Sequence, residues 1–507
     1  MTWWVTVAAV RIHGWIQQTP KLSHMRGASR ALSVRTSPAV VEALVDVPTV
    51  RVQRRESEVD GVVVAAAPDI EAARTYAGRL VAALTGQLPG VQWESWWCEA
   101  DSYVAAFSRA VDPFDDGVKR LRRLPALHEA GPVMSCLMCR SEPAGRAGNR
   151  VSPSVIGDDK PGALDSQGCG CQVRHDEGTF DKTDLPPDDL RAQIRGRTLS
   201  KDFAELASLG GVTPRASKAI GRKESRSHLA TVYADGNGMG AFFQALSSTS
   251  LTLPELHGAA ISELNNATKD AVIQAAWAVA ADPDVASIEP HFVGGDDVLV
   301  SVPAPYGWTF AAHLAGFFEG LRGTLTTLLD KDLASSGPEV HQSEEVRLLR
   351  ERIAAISLGV GVTFAHASYP FAEASHAAEG RLRRAKQEAG GQYSCIAWVD
   401  ITAQSAARRE HNAHVVKALD ARNMLSIPPN DPRAKAVFRL TPSARSQLAA
   451  ILRDEDGTVA QTALQTWAKR LKDTNFAEQL MNTAHEQLWA DLSMARWWPN
   501  ATWEEDE

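Results

Sequence analysis

Two carboxylates stand side by side in Phe292-Val293-Gly294-Gly295-Asp296-Asp297-Val298-Leu299-Val300. Apolar runs from Ser287 to Val293 and from Val298 to Val302 flank them, which reads as a β-hairpin whose tight turn presents adjacent acids. Gly294 and Gly295 permit the positive φ such a turn needs and let a bulky anion approach. Paired Asp side chains at a strand end are hard oxygen ligands of the kind Mg²⁺ or Mn²⁺ takes in phosphoryl-transfer sites. An ordinary solvated turn has the same composition, so the tetrapeptide needs company to mean chemistry.

The elements around it supply that company. A strand at Leu229 to Tyr233 ends in Ala234-Asp235-Gly236-Asn237-Gly238-Met239-Gly240 and opens a helix through Phe242, Phe243 and Leu246. A long helix (Glu255 to Ala281) precedes the acidic hairpin, and a helix (Trp308 to Leu329), a strand (Ile356 to Phe364), a helix (Phe371 to Glu388) and a strand (Ser394 to Asp400) follow it. This is the order of a palm, in which the first and third strands are neighbours. Asp235 can therefore approach Asp296 and Asp297. Three carboxylates on one or two divalent ions fit a nucleotidyl-transfer site, where the metals lower the pKa of an attacking ribose hydroxyl, clamp the α-phosphate and stabilise the pyrophosphate leaving group. Gly236, Gly238 and Gly240 allow a triphosphate to reach backbone amides at the start of the next helix. Lys386 either neutralises phosphate charge from the Phe371 helix or occupies a surface face among arginines, and both readings stand.

Residues 1–110 repeat the pattern on a smaller scale. Strands at Trp3 to Arg11, Val41 to Val52, Gly61 to Ala67 and Val91 to Trp97 alternate with helical segments around Met25-Arg26-Gly27-Ala28-Ser29 and after Pro68-Asp69. The β-α-β-β-α-β order is ferredoxin-like. No acidic hairpin turn appears here, so this unit reads as degenerate. Ser29 and Arg26 either meet a second nucleotide across the palm-palm interface or simply pack their helix.

Residues 111–227 carry a different signal. Cys136-Leu137-Met138-Cys139 and Cys169-Gly170-Cys171 flank a polar interval from Arg140 to Gly168. Four thiolates satisfy tetrahedral Zn²⁺ and would clip an insertion with little core of its own, a closed structural site and not a catalytic one. Reduced, unliganded cysteines are the competing reading. His175-Asp176 lacks the further His and Asp ligands a phosphohydrolase needs and reads as a solvated loop. The basic run Arg215, Lys218, Arg222, Lys223 and Arg226 faces either a polyanion or solvent.

The whole chain is α+β and multidomain: two ferredoxin-like palms at 1–110 and 228–404, the zinc-binding and helical stretch 111–227 between them, and a C-terminal helical bundle at 405–507 ending in Glu504-Glu505-Asp506-Glu507. A net charge of −8 over 507 residues argues against a broad basic face that coats nucleic acid, though not against a local groove or RNA presented by partner subunits. No apolar run approaches the roughly 18 residues of a membrane helix, and Met1 to Val10 lacks the basic start of a signal peptide. A cytoplasmic protein without membrane partners is expected.

These residues resemble the large, palm-containing subunit of type III CRISPR-Cas effector complexes. Gly14-Trp15-Ile16-Gln17 with Arg26-Gly27-Ala28-Ser29 is similar to the opening of that family's first palm, Cys136 to Cys171 to its zinc insertion, and Asp235-Gly236-Asn237-Gly238-Met239-Gly240 with Gly294-Gly295-Asp296-Asp297 to its second palm. Phe364-Ala365-His366-Ala367 through Ala385-Lys386 is similar to the closing strand and helix. The resemblance implies conversion of ATP into cyclic oligoadenylate when the complex has bound target RNA, with Asp296 and Asp297 as the metal-binding pair and Asp235 as the first-strand acid. It implies other subunits of the complex as partners, with crRNA and target RNA met mainly through them. The chain departs from the family twice: a palm strand begins at residue 3, so no HD nuclease activity is expected, and Asn237 stands where the family often carries an acid. The wording of the first-strand motif leans toward the Cmr-type branch. The rival readings are a stand-alone diguanylate-type cyclase and a catalytically inert scaffold of the same ribonucleoprotein.

Overall fold

In the computed structural model the described residues are 2–19, 21–57, 59–123, 136, 138–139, 169–178, 182–185, 189–196, 198–211, 226–280, 284–402, 415–417, 440–452, 457–470, 477–478, 481, 492 and 497. They form a mixed α+β architecture with two sheets, a cysteine cluster and C-terminal helices.

The two sheets share one strand order. In the first, β1 (Thr2–Val10), β2 (Arg51–Val52), β3 (Val62–Ala67), β4 (Gln92–Ala100) and β5 (Lys119–Arg123) lie in the order β2-β3-β1-β4-β5, all antiparallel. In the second, β6 (His228–Asn237), β7 (Glu289–Gly294), β8 (Asp297–Pro303), β9 (Ser357–His366), β10 (Cys395–Asp400) and β11 (Val415–Lys417) lie in the order β11-β10-β9-β6-β8-β7. Each sheet thus places its first strand between its third and fourth, the ferredoxin-like arrangement. The central strand β6 is buried almost throughout and on both faces, which is what a strand covered by helices on one side and a sister unit on the other requires.

The first unit departs from the sequence expectation in two places. Most of the stretch read as strand from Val41 to Val52 is helical over Pro38–Leu44, because Pro38 follows Ser37 at the first helical position and one turn buries Val41 in the core. Only Arg51–Val52 pairs as strand. The first sheet also gains β5 beyond the expected end of that unit at 110, since Arg109 and Asp115 close the intervening loop through a bidentate pair at 2.8 and 3.0 Å.

Helix α1 (Ile12–Ile16) and α2 (Leu22–Thr36) cover the first sheet, and α3 (Cys169–Gly178) packs along α2. His175 and Asp176 therefore lie on a helix and not in a solvated loop, with the His175 ring 5.6 Å from that of His24. The close approach rests on two glycines: a Cβ on Gly27 would sit 1.8 Å from the Arg174 carbonyl oxygen, and one on Gly178 would sit 2.0 Å from that of Ser23. Arg174 is buried between the helices, donating to Gln18 Oε1 at 2.7 Å and lying 4.9 Å over the Trp15 ring.

Further helices clothe the second sheet: α4 (Met239–Thr249), α5 (Pro254–Ala278), α6 (Gly307–Glu319) and α7 (Phe371–Ala389). The helix expected from Trp308 to Leu329 breaks at Gly320. Tyr233, Leu299, Phe371 and Leu382 from this unit join the hydrophobic core of the first. At the far edge Trp497 is fully buried, stacks on Phe364 and donates Nε1–H to Asp400 Oδ2 at 2.9 Å, tying the C-terminal region to the second sheet.

The helix contact generates a test. In a free helix Gly→Ala gains roughly 1 kcal/mol of propensity. At Gly27 the backbone clash reverses the sign, and Gly27→Ala should cost roughly 1–3 kcal/mol, read as a lowered melting temperature. A neutral or stabilising result would mean α3 does not seat on α2 as described.

Candidate active site

The β6 strand delivers Asp235 at the one half-buried position in an otherwise buried row. Opposite it on β9 is Gly359, where a Cβ would meet Lys386 Cγ at 2.8 Å, so the missing side chain leaves a passage for the lysine stem. Lys386 crosses from α7, pairs with the Asp235 carboxylate and donates to the Gly236 carbonyl at 2.9 Å. It is neither a free phosphate ligand nor a surface lysine in this state. It is the counter-charge of the first acid.

The other two acids come from the β7-β8 turn. Gly294 pairs with Asp297, leaving Gly295 and Asp296 as a two-residue turn with Gly295 at φ +60°, the glycine-first arrangement of a type II′ hairpin. The Gly295 amide points at Asn265 Oδ1 on α5, 3.4 Å away. Gly236 makes the meeting of strands possible, because a Cβ there would lie 3.0 Å from both Cβ and Oδ2 of Asp296. Asp235 lies close enough to Asp296 and Asp297 to raise both carboxyls. Gly238, at φ +70°, caps the start of α4 and is exposed there.

Burial, then contact with Asp235, pushes the Asp296 carboxyl up to about 8. Burial and the Asp235 charge push Asp297 up to about 7, with Lys386 pulling the other way. Without a cation the cluster therefore keeps protons near neutral pH. Asp235, Asp296 and Asp297 are hard oxygen donors of the class Mg²⁺ or Mn²⁺ takes; among the described residues only the three cysteines bring three ligand atoms within 4.8 Å of one another.

Residues with no warning in the sequence line the same face. Tyr233 precedes Asp235 by two and so shares its side of the sheet; burial and the charges of Asp297, Glu379 and Asp235 push its phenol up. His13 of α1 shares a 2.6 Å hydrogen bond with the Tyr233 hydroxyl and lies edge-on to Phe292 at 4.7 Å. Burial holds its imidazole low. The period-two relation to Asp235 would have found Tyr233, whereas nothing local marks His13. Asn237, at the family's variable acid position, is buried and donates to Ser357 Oγ at 3.0 Å. Arg26 does not reach the acids: it is buried against Glu289, and Ser29 is half-buried on the same helix.

At the cysteine cluster the sulfurs of Cys136, Cys139 and Cys171 lie within 4.8 Å of one another, a spacing one ion could bridge. The Cys169 side chain lies outside the described residues, as do Arg215, Lys218, Arg222, Lys223 and the acidic C-terminus; Arg226 is exposed. The Met138 amide donates to Cys136 Sγ at 3.4 Å and Arg174 Nη1 to Cys171 Sγ at 3.3 Å, the outer-shell donors that thiolates bound to zinc attract. Contact with Cys139 and burial push the Cys171 thiol up in the ion-free state. Among the described residues no helix is long and apolar enough to cross a membrane.

The strand order, with acids at the end of β6 and in the β7-β8 turn, is that of a palm-type domain. Residues 228–393 match the family model for the second palm domain of Cas10/Cmr2. No curated protein matches the chain. Among solved structures, a Csm1-Csm4 cassette in complex with one ATP is similar at 12% identity and TM-score 0.52, over 98% of this chain and 70% of that one. The same cassette with AMPPNP aligns at 12% identity and TM-score 0.51 over 99% and 69%, and with cA4 at 13% and 0.50 over 99% and 70%. At such identity these likenesses establish a shared fold. They join the family model under both branch names, so the Cmr-type leaning of the motif is not carried by them.

The raised carboxyls set a pH dependence. A carboxyl whose folded pKa exceeds its unfolded value contributes stability below about pH 4 that is lost as pH rises through the folded values of about 7 and 8. The metal-free protein should lose stability from about pH 5 to about pH 9, and the melting-temperature gain on adding Mn²⁺ should be larger at the alkaline end. Asp296→Asn with Asp297→Asn should flatten the profile and abolish the gain. An Mn²⁺ gain of equal size at both ends would contradict the cluster.

Proposed function

We propose that this chain is the large palm-containing subunit of a type III CRISPR effector complex and that its second palm is a nucleotidyl cyclase, joining ATP 3′ to 5′ into cyclic oligoadenylate when target RNA is bound. The observation that carries the reading is the approach of Asp235 to both Asp296 and Asp297 where β6 meets the β7-β8 turn, in a sheet whose residues 228–393 match the Cas10/Cmr2 second palm. The likeness in fold to cassettes solved with ATP, AMPPNP and cA4 supports it. The partnership with a Csm4-like subunit, the involvement of crRNA and target RNA, and the structural zinc belong to the same proposal.

Asp235, Asp296 and Asp297 would hold the divalent ion, which when bound supplies charge to activate a ribose hydroxyl and to stabilise pyrophosphate as it leaves. The chain's own residues do the rest. Gly238 leaves the backbone at the start of α4 open to a triphosphate, while Gly236 makes room for Asp296. Lys386 pairs with Asp235, and its ammonium would meet the charge of an entering phosphate. Tyr233, His13 and Phe292 close one side of the acids with rings and keep water out.

The test is product analysis by mass spectrometry on the assembled complex with ATP or GTP, with and without target RNA. Cyclic oligoadenylate should form with ATP and target RNA, and Asp296→Asn should reduce it by roughly 10²-fold or more. GTP dimerisation without target RNA would sink the proposal in favour of a diguanylate-type cyclase. Absence of any product from the unmodified complex would leave an inert scaffold.

A further inference from the structure

The acidic turn hangs from the edge of its sheet. Among the described residues β7 pairs with β8 alone, so its register rests on one short edge ladder. That ladder contains a bulge: Pro290 lies opposite Val300, but Phe292 lies opposite Leu299, which leaves His291 as the extra residue. The bulge decides the turn. With it, Gly294 faces Asp297 and the turn is Gly295-Asp296. If the Pro290 register continued unbroken, Val293 would face Asp297 and Asp296 would end a three-residue loop. Phe292 would then point to the other face.

Three buried side chains converge on the strand just where the register shifts. Arg26 of α2 donates Nε–H to Glu289 Oε1 at 3.0 Å and pairs through Nη2 with Oε2, while Nη2 also reaches the Ser200 carbonyl at 3.0 Å. The two side chains are 6% and 1% exposed, so this is a bidentate pair sealed from water. Arg191, also buried, donates to the Pro290 carbonyl at 3.0 Å. His291 is fully buried, with Nε2 2.8 Å from Ser301 Oγ and its ring 4.3 Å from Phe371. Burial, with Arg191 and Arg26 beside it, keeps that imidazole neutral.

We propose that Arg26, Arg191 and His291 form a register clamp that pins the bulge of β7 at position 291 and so sets where the turn places Asp296. They are positioning residues, since none touches the acids. Arg26 belongs to the first unit, and its helix carries α3 with Cys171 on its other contact, so the clamp ties the acidic turn to the helix pair beside the cysteine cluster. The consequence for metal binding rests on the reading of the acids given above; the clamp itself does not.

Register is read directly by a cross-strand disulfide. Val293 and Val298 face each other one step from the turn, in the non-hydrogen-bonded position whose Cα separation of about 4.5 Å admits a disulfide. In the full-length chain, Val293→Cys/Val298→Cys should cross-link on mild oxidation, as mapped by peptide mass. Adding Arg26→Met or His291→Leu should lower the trapped fraction severalfold and weaken Mn²⁺ affinity roughly tenfold, with far-UV circular dichroism unchanged. Removing one partner of a buried pair strands the other charge, so Arg26→Met/Glu289→Met supplies a variant that folds with no unpaired carboxylate and should still lose the cross-link. Failure of the parent pair to cross-link, or full cross-linking and unchanged Mn²⁺ affinity in the folded variants, would overturn the clamp. Loss of the cross-link in a protein whose unmodified form binds no Mn²⁺ would keep the clamp and remove the metal reading.

Discussion

Carboxylates gathered where β6 meets the β7-β8 turn repel one another, and the surrounding structure is organised to hold them there regardless. Side chains on flexible loops would swing apart to relieve that repulsion. Here Asp235 is fixed by a strand paired on both flanks, Asp297 begins the strand beside it, and Asp296 sits in a turn too short to relax. The electrostatic cost remains in the folded state as carboxyls that cling to protons, offset in part by Lys386. A divalent cation relieves the same cost more completely than a proton, because it can answer three acids at once.

The neighbouring unit contributes to that rigidity although it carries no acidic turn of its own. Its hydrophobic core takes in Tyr233, Leu299, Phe371 and Leu382, so the face that bears the acids is also the face that seals the contact between the two sheets. His13 reaches Tyr233 from one side of this contact, and Gln17 donates to Ser375 Oγ at 2.8 Å. The duplication is thus asymmetric. One sheet presents the charge, and the other walls it in.

Much of this is legible in the sequence, and the part that is not has a common cause. Asp235, Asp296 and Asp297 stand at the ends of apolar runs, and strand order alone brings such ends together. The helices of the second unit that apolar periodicity names lie close to where it puts them, apart from the break at Gly320, where a single glycine within a long pattern gives no sign of stopping it; the helix Glu344–Ala354 is not among them. Arg26 is the instructive case. Beside Ser29 in a nucleotide-like motif it suggests a phosphate ligand, yet its partner is Glu289, far along the chain, and a buried ion pair leaves no local trace in either segment. Lys386 remains open in the sequence for the same reason: the passage over Gly359 that leads it to Asp235 is a property of the folded sheet. His175 reads as a loop residue because its helix gains its stability from Gly27 and Gly178 contacts and not from an apolar stripe of its own.

On the proposed reading Asp235, Asp296 and Asp297 hold a divalent ion. The most direct measurement is an anomalous difference map from crystals of the protein soaked in Mn²⁺. A peak about 2.0–2.2 Å from carboxylate oxygens of Asp235 and the Asp296-Asp297 turn, with Lys386 displaced from Asp235, is the result the account predicts. A map with no peak there while Lys386 still pairs with Asp235 would contradict it.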